Sequence, residues 1–277
     1  MARSRDKRSD AVDDLLTALG RLSDQALERV ELQQARVELA IALQKELLPS
    51  ALPTVPGLRS AARYAPARHG LDIGGDWYDG FRLPDGALGF SIGDVQGHDV
   101  EAAAFMGQIR IGLRAVAAVV PDPGEVLSRT NDLLVSMECG LFATCTFLRV
   151  DPATGEMSDA RAGHVPAVWA TGNGDWGVAE EEGGPPLGIL PAQEYPVTRR
   201  LLADAEALVL FTDGIVEGPA FPIEAGLAEV ARLVRARVHA DPGELADEVI
   251  KIADLTGHTD DAAVLVLSRG PEPAERG

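Results

Sequence analysis

The sequence predicts an α+β fold in which antiparallel sheets are covered by pairs of helices. From about residue 57 onward, short β-like runs alternate with turns rich in Gly, Asp and Pro. Two pairs of helical stretches interrupt these runs, one pair in the middle of the chain and one pair near its end. Strands that come in runs, with helices that come in pairs, favour antiparallel sheets over a strict βαβ alternation.

An N-terminal helix is predicted within residues 1–48. Residues 10–48 contain no Pro and a single Gly, Gly20, and they are rich in good helix formers. Two interpretations stay open: an amphipathic helix docked on its own domain, or a coiled-coil linker that forms a homodimer. Gln33 and Gln44 interrupt the apolar seam that a coiled coil requires. The apolar positions that share one helical face are Leu15, Leu19, Leu22, Ala26, Val30, Val37, Ile41 and Leu48.

The folded domain is predicted to span residues 49–269. Pro49, Pro53 and Pro56 end the N-terminal helix and form an extended connection. Residues 270–277 are expected to be a disordered tail. The predicted strands are 58–64, 80–83, 87–94, 142–150, 167–170, 207–211 and 262–267, and the predicted helices are 100–119, 123–137, 223–238 and 242–255.

Composition narrows the classes of partner. The chain has 25 Lys and Arg against 43 Asp and Glu, a formal net charge of −18. Such a surface repels phosphate backbones and anionic lipid, so neither nucleic acid nor a membrane is expected as a partner. The basic N-terminus leads into charged residues rather than an apolar core, so we expect no secretion signal and a cytoplasmic location.

Six aspartates stand where predicted strands begin or end. Each lies beside a glycine or an apolar run, so four separate strand–loop junctions carry a carboxylate. They are Asp94 after the strand 87–93, Asp213 after the strand 207–212, Asp260 and Asp261 before the strand 262–267, and Asp76 and Asp79 in a predicted turn over residues 74–79.

Carboxylates at several junctions indicate a metal site if the fold brings them together. Clustered carboxylates repel one another, and a cation is usually needed to hold them ionised. Ligand sets made only of oxygen select Mg²⁺ or Mn²⁺, and two such ions polarise a phosphoryl group and activate a water. The alternative is that each Asp merely caps a turn. His98 and His164, which lie in Gly-flanked turns, are interpreted as structural hydrogen-bonding residues rather than ligands.

Eight short motifs carry a resemblance to a known family. In chain order they are LLPSALP at 47–53, APA at 65–67 with GGDWYD at 74–79, IGDVQGH at 92–98, FAT at 142–144, AGHVP at 162–166, PPLG at 185–188, FTDGIVE at 211–217 and DDAA at 260–263. This series resembles the SpoIIE/RsbU-like bacterial branch of the PPM phosphatases, the metal-dependent protein phosphatase 2C superfamily. The resemblance covers about residues 45–268.

The resemblance implies an α-β-β-α sandwich of two antiparallel sheets flanked by helix pairs. It also implies two Mn²⁺ or Mg²⁺ ions between the sheets and a metal-bridging hydroxide that attacks a phosphoserine or phosphothreonine directly. By position in the motifs, the resemblance implies that Asp94 would bridge both metal ions. Asp76 would bind one ion, Asp213 and Asp260 would bind the other, and the carbonyl of Val95 would complete the coordination of one of them. Asp79 and Asp261 would be auxiliary residues. Asp94, Asp76 and Asp213 would be the catalytic residues.

The implied substrate is a phosphorylated anti-sigma-factor antagonist, whose dephosphorylation would let it capture an anti-sigma kinase and free a sigma factor. The helix pair at 100–119 and 123–137 corresponds to a switch that positions metal ligands in related proteins. Two alternatives remain: a catalytically silent PPM-fold module that binds its partner, and an acidic coiled-coil adaptor without a metal. Turnover separates the enzyme from the silent module, and metal content separates the silent module from the adaptor.

Overall fold

The computed structural model describes residues 19–32, 35, 47–66, 74–97, 100–219, 221–257 and 260–270. Two five-stranded sheets lie face to face, and a pair of helices covers the outer face of each. The strands are β1 Leu58–Ala65, β2 Trp77–Arg82, β3 Leu88–Val95, β4 Ala143–Val150, β5 Glu156–Ala162, β6 Val168–Thr171, β7 Trp176–Val178, β8 Val197–Leu201, β9 Glu206–Phe211 and β10 Ala262–Arg269. The helices are α1 (19–32), α2 Val100–Ala117, α3 Pro123–Ser136, α4 Ile223–Ala236 and α5 Pro242–Val249, with 3₁₀ turns at Asp213–Ile215 and Ile250–Asp254.

Every strand pair in both sheets is antiparallel. Sheet A has the order β1-β10-β9-β6-β7, and sheet B has the order β2-β3-β4-β5-β8. Antiparallel neighbours place the end of one strand beside the start of the next. The end of β9 therefore lies beside the start of β10 in sheet A, and the start of β2 lies beside the end of β3 in sheet B.

Three apolar layers hold the sandwich together. The inner layer lies between the sheets and contains Phe90 and Ile92 from β3 and Leu265 from β10. Alternate residues of β10, such as Val264, face outward onto α4 and α5. Because both faces of the central strands are buried, those strands are apolar throughout instead of alternating with polar residues.

Sheet B is covered by α2 and α3. Met106 and Ile109 of α2 pack with Trp77 of β2 in one buried layer. Helix α3 begins after Asp122, whose side chain accepts a hydrogen bond from the Glu125 N–H, as an N-cap residue does. The predicted α-β-β-α sandwich is confirmed.

Several element boundaries differ from the sequence prediction. Strands β5, β7 and β8 were not predicted, because β5 and β8 carry polar and charged side chains and β7 has three residues. The helix predicted over 242–255 is α-helical only as far as Val249 and continues as 3₁₀ turns to Asp254. No helix in the described ranges is long and apolar enough to cross a bilayer.

Helix α1 is exposed along its described length. Leu19, Leu22 and Val30, which belong to the predicted apolar seam, are 54%, 62% and 60% exposed. Residues 19–32 are therefore not docked on their own domain, although Leu47 and Leu48 further along do pack against the layer under α2. Ala26, a further seam position, is also exposed, whereas Leu15, Val37 and Ile41 and the tail from residue 271 lie outside the described residues.

Candidate functional site

The aspartates of sheets A and B meet at one edge of the sandwich. Asp76 directly precedes β2, and Asp94 lies near the end of the neighbouring strand β3. In sheet A, Asp213 follows β9 and Asp261 precedes β10. The Thr212 hydroxyl donates a hydrogen bond of 2.7 Å to Oδ2 of Asp76, so the two sheets are joined at this edge.

Thr212 is a site residue that the sequence analysis did not single out. It is fully buried between β9 and Asp213. Its Oγ1 also accepts a hydrogen bond of 2.9 Å from the Ala263 N–H, which ties the end of β9 to the start of β10. In the sequence, the position of a hydroxyl residue between an apolar run and an aspartate could have indicated that Thr212 belongs to the site.

Burial and mutual repulsion dominate the electrostatics of the cluster. Burial, followed by the charges of Asp213 and Asp260, raises the pKa of Asp94 to about 8. Burial and then the charges of Asp94 and Asp261 raise the pKa of Asp76, while the Thr212 hydrogen bond lowers it. Burial, followed by the charge of Asp260, raises the pKa of Asp213.

No positively charged side chain is among the main influences on these three pKa values within the described part of the chain. The described residues therefore supply no counter-ion for this set of neighbouring acids. Ionising them together is unfavourable unless a cation is bound.

A pair of glycines makes the close approach at this edge sterically feasible. A Cβ atom at Gly75 would lie 2.4 Å from the carbonyl oxygen of Val95, and one at Gly74 would lie 1.7 Å from Oδ2 of Asp261. The Val95 N–H donates a 3.3 Å hydrogen bond to the Gly75 carbonyl. Residues 74–75 thus pass between the end of β3 and Asp261, and they deliver Asp76 to its position.

Asp260 and Asp261 have different surroundings. Asp261 is buried, whereas Asp260 is exposed and accepts a 2.8 Å hydrogen bond from the Asp261 N–H. Tyr64 of β1 hydrogen-bonds Asp261, and burial, followed by the charge of Asp261, raises the pKa of the Tyr64 phenol. Tyr64 lies within a correctly predicted strand, but nothing in the sequence distinguished it from its neighbours.

Asp79 was predicted to lie in a turn over residues 74–79, and that prediction is wrong. Asp79 is the third residue of β2, because Trp77 already pairs with Gly93 of β3 and begins the strand. Its carboxylate accepts hydrogen bonds of 2.7 and 2.6 Å from Arg114, and Arg110 lies 3.3 Å away. Asp79 therefore ties β2 to α2, and its auxiliary role at the metal site stays a prediction.

The donor atoms at this edge are of the kind that binds a hard cation. No three His, Cys, Asp or Glu side chains within the described ranges already stand together as a metal-binding group. Residues 67–73, 98–99 and 258–259, which adjoin the site in sequence and include His98, lie outside those ranges. The available donors are carboxylates and the Val95 carbonyl, the oxygen ligands that Mg²⁺ and Mn²⁺ prefer.

Comparison with known proteins identifies the family. Residues 84–270 match the family described as "Stage II sporulation protein E (SpoIIE)". The chain belongs to the SpoIIE family. The resemblance drawn from the eight motifs is thereby confirmed.

Curated relatives of this SpoIIE-family chain are distant. It is 28% identical to Protein IcfG of Synechocystis over 220 residues, which is 69% of this chain and 33% of IcfG. It is 25% identical to the phosphoserine phosphatase RsbU of Bacillus subtilis over 244 residues, which is 85% of this chain and 70% of RsbU. The chain thus spans only about a third of IcfG.

A solved structure of two Mycobacterium tuberculosis domains is also similar. The RsbU and RsbW domains of Rv1364c match with a TM-score of 0.73 and 33% identity, over 82% of this chain and 64% of that chain. The PP2C phosphatase domain of SpoIIE from Bacillus subtilis matches with a TM-score of 0.66 and 22% identity, over 76% of this chain and 63% of that chain. The SpoIIE-family chain therefore has a PP2C-type fold.

Proposed function

We propose that this chain is a metal-dependent protein serine/threonine phosphatase. The observation that carries the proposal is the group of buried, mutually repelling carboxylates at the edge where the two sheets meet, for which the described part of the chain supplies no counter-ion. Membership of the SpoIIE family and similarity to RsbU and RsbP, both named phosphoserine phosphatases, support the same activity.

Two Mn²⁺ or Mg²⁺ ions are the proposed cofactors. Similar folds include RsbX in complex with magnesium and the PstP catalytic domain with two manganese ions. Bound at this edge, two such ions would supply an activated water for attack on phosphorus. The proposed ligands are Asp76, Asp94, the Val95 carbonyl, Asp213 and Asp260, with Asp261 as an auxiliary residue. Asp79, for which the resemblance implied an auxiliary role, is instead paired with Arg110 and Arg114, and we propose that it acts structurally.

The protein's own part in this chemistry is to hold the ligands in place. Thr212 donates a hydrogen bond to one carboxylate oxygen of Asp76 and thereby restrains the orientation of this side chain. The close packing at Gly75 holds the Val95 carbonyl beside Asp76. Tyr64 stays neutral because its pKa is raised, so it restrains Asp261 as a hydrogen-bonding phenol and adds no charge.

We propose a phosphorylated anti-sigma-factor antagonist as the substrate, at a phosphoserine or phosphothreonine. Similarity to RsbU, to RsbP and to a structure that joins RsbU and RsbW domains supports this class. The competing function is a PPM-fold module that binds its partner without turnover. We propose a cytoplasmic location, as predicted from the N-terminal sequence, with neither nucleic acid nor membrane as a partner.

The test of activity is Mn²⁺-dependent hydrolysis of p-nitrophenyl phosphate. We expect turnover that requires Mn²⁺ and falls by more than about 100-fold in Asp94→Asn and in Asp213→Asn, because each variant removes a charge that holds the ions. Asp204→Asn is the matched control, since its side chain is 82% exposed and precedes the start of β9, remote from the end that carries Asp213. A wild-type chain that binds Mn²⁺ but hydrolyses neither this ester nor a phosphoserine protein would favour the silent module.

We also propose that two chains pair through helix α1. The exposed Leu19, Leu22 and Val30 form an apolar stripe on a helix that is not docked on its own domain. Removal of residues 1–44 should halve the mass measured by sedimentation equilibrium. An unchanged mass would contradict pairing through this helix.

A further inference from the structure

His164 lies where the chain crosses from sheet B to sheet A. It belongs to the short segment between β5 and β6, and it is 4% exposed. The preceding residue, Gly163, forms a parallel bridge with Cys145 of β4 and donates a 2.8 Å hydrogen bond to the Gly184 carbonyl. The backbone on this side of the imidazole is therefore firmly anchored to sheet B.

One nitrogen of the imidazole ring forms a hydrogen bond next to the carboxylate cluster. His164 Nδ1 lies 2.9 Å from Oγ1 of Thr144 in β4. Thr144 is the direct cross-strand partner of Asp94 in the pairing of β3 with β4. The imidazole thus contacts the residue paired with Asp94, one of the proposed metal ligands.

The opposite strand is also within reach of the ring. His164 interacts with the backbone of Phe211, the last residue of β9 and two residues before Asp213. Its Nε2 has no hydrogen bond of normal length and angle within the described residues. The ring therefore lies close to β9 without forming a regular hydrogen bond to it. The imidazole accordingly spans β4 of sheet B and β9 of sheet A.

The ring acts as a neutral group at this position. Burial lowers the pKa of His164 to about 3, so it carries no charge at neutral pH. No carboxylate is among the main influences on this pKa within the described part of the chain. His164 is therefore not a counter-ion for the aspartates, and any role at the site has to be geometric.

We propose that His164 is a positioning residue that fixes the spacing between Asp94 on sheet B and Asp213 on sheet A. It does so through its hydrogen bond to Thr144 and its contact with the end of β9. The inference rests on the proposed function, since it assumes that the two aspartates share a metal site. The Thr212–Asp76 hydrogen bond also joins the two sheets at this edge, so His164 would add a further link between them.

The test is a calorimetric titration with Mn²⁺ alone, on the full chain after chelation and dialysis. We expect His164→Leu and Thr144→Val each to weaken Mn²⁺ binding by about 10-fold, the lower end of what residues that orient metal ligands contribute. His164→Asn, whose Oδ1 can replace Nδ1 as the partner of Thr144, should recover most of the affinity. Thr146→Val is the matched control, because Thr146 lies two residues along the same face of β4, whereas the hydrogen bond of His164 Nδ1 is to Thr144.

The double variant His164→Leu/Thr144→Val separates positioning from general destabilisation. If the two side chains act as one unit, the double variant binds Mn²⁺ no more weakly than either single variant. Urea unfolding in chelator is measured alongside, and a purely structural role would lower stability while leaving Mn²⁺ affinity unchanged. Thr144→Val removes a hydroxyl without a change of volume, so it remains informative if His164→Leu does not fold.

The titration distinguishes failure of the positioning role from failure of the proposed phosphatase function. A wild-type chain that binds Mn²⁺, with His164→Leu and Thr144→Val binding equally well, overturns the positioning role and leaves the phosphatase proposal standing. A wild-type chain that binds no Mn²⁺ overturns both.

Discussion

Two aspartates three residues apart have opposite electrostatic surroundings. Asp76 and Asp79 are 2% and 0% exposed, and both adjoin or belong to β2. Asp79 faces α2, where Arg110 and Arg114 neutralise it. Asp76 faces sheet A, where it meets a threonine hydroxyl and the charges of other aspartates.

The difference shows how a carboxylate with a structural role can be distinguished from a carboxylate of the candidate metal site when the two are close in sequence. A buried carboxylate with two arginines has its counter-ions within the chain, so it joins elements together. A buried carboxylate whose charged neighbours are acids is costly to ionise at neutral pH unless the missing cation comes from solution. Burial alone would have grouped Asp76 with Asp79, whereas the identity of the neighbours distinguishes them.

The largest effect on stability is expected from Asp79→Ala. It leaves Arg110, whose side chain is only 13% exposed, without its partner and removes the tie between β2 and α2. We expect the free energy of unfolding to fall by about 3 kcal/mol, at the lower end for a broken buried ion pair because Arg114 is 43% exposed and can reach water. Urea unfolding in chelator measures it.

The matched control for Asp79→Ala is Glu229→Ala, which breaks the exposed pair with Arg232 on α4. That change should be smaller than about 1 kcal/mol. Equal losses in the two variants would contradict the structural role assigned to Asp79.

A smaller effect is expected from pH in the absence of metal. The pKa of Asp94 is about 8 in the folded chain and near 4 when unfolded, so between pH 7 and 8 the folded state holds a proton that the unfolded state has lost. Stability in chelator should therefore fall as pH rises through this window, by about 1 kcal/mol. His164 does not oppose this slope, because it is neutral when folded and largely neutral when unfolded above pH 7.

Asp94→Asn removes the titrating group and should flatten this pH dependence. Urea midpoints at pH 7.0, 7.5 and 8.0, with and without the substitution, measure the difference. A wild-type stability that rises over the same window would show that Asp94 is ionised without metal, and the contrast with Asp79 would then fail.

The sequence predicted the apolar part of the fold well and the polar part poorly. The runs that became β3, β4, β9 and β10 are buried on both faces, so their hydrophobicity was sufficient evidence. Strand β8, with the sequence VTRRL, is an edge strand whose arginines pair with acids elsewhere in the fold, and no local pattern indicates that pairing.

The candidate site was predictable to the extent that strand ends are visible in a sequence. Asp94 and Asp213 directly adjoin apolar runs, and the structure places them at the same edge. Asp79 was wrongly placed in a turn because GGDWYD reads locally as loop, while the pairing of Trp77 with Gly93 is a long-range contact. The Thr144–His164 link was missed for the same reason, since the two residues lie 20 positions apart.

A calorimetric Mn²⁺ titration of three chains, the wild type, Asp76→Asn and Asp79→Asn, most directly tests whether the edge between the sheets is a metal site. Circular dichroism first establishes that each chain is folded. We expect Asp76→Asn to weaken Mn²⁺ binding by more than about 100-fold, because it removes a proposed metal ligand, whereas Asp79→Asn should stay within about threefold of the wild type. Equal affinities in Asp76→Asn and the wild type, or a loss confined to Asp79→Asn, would contradict this expectation.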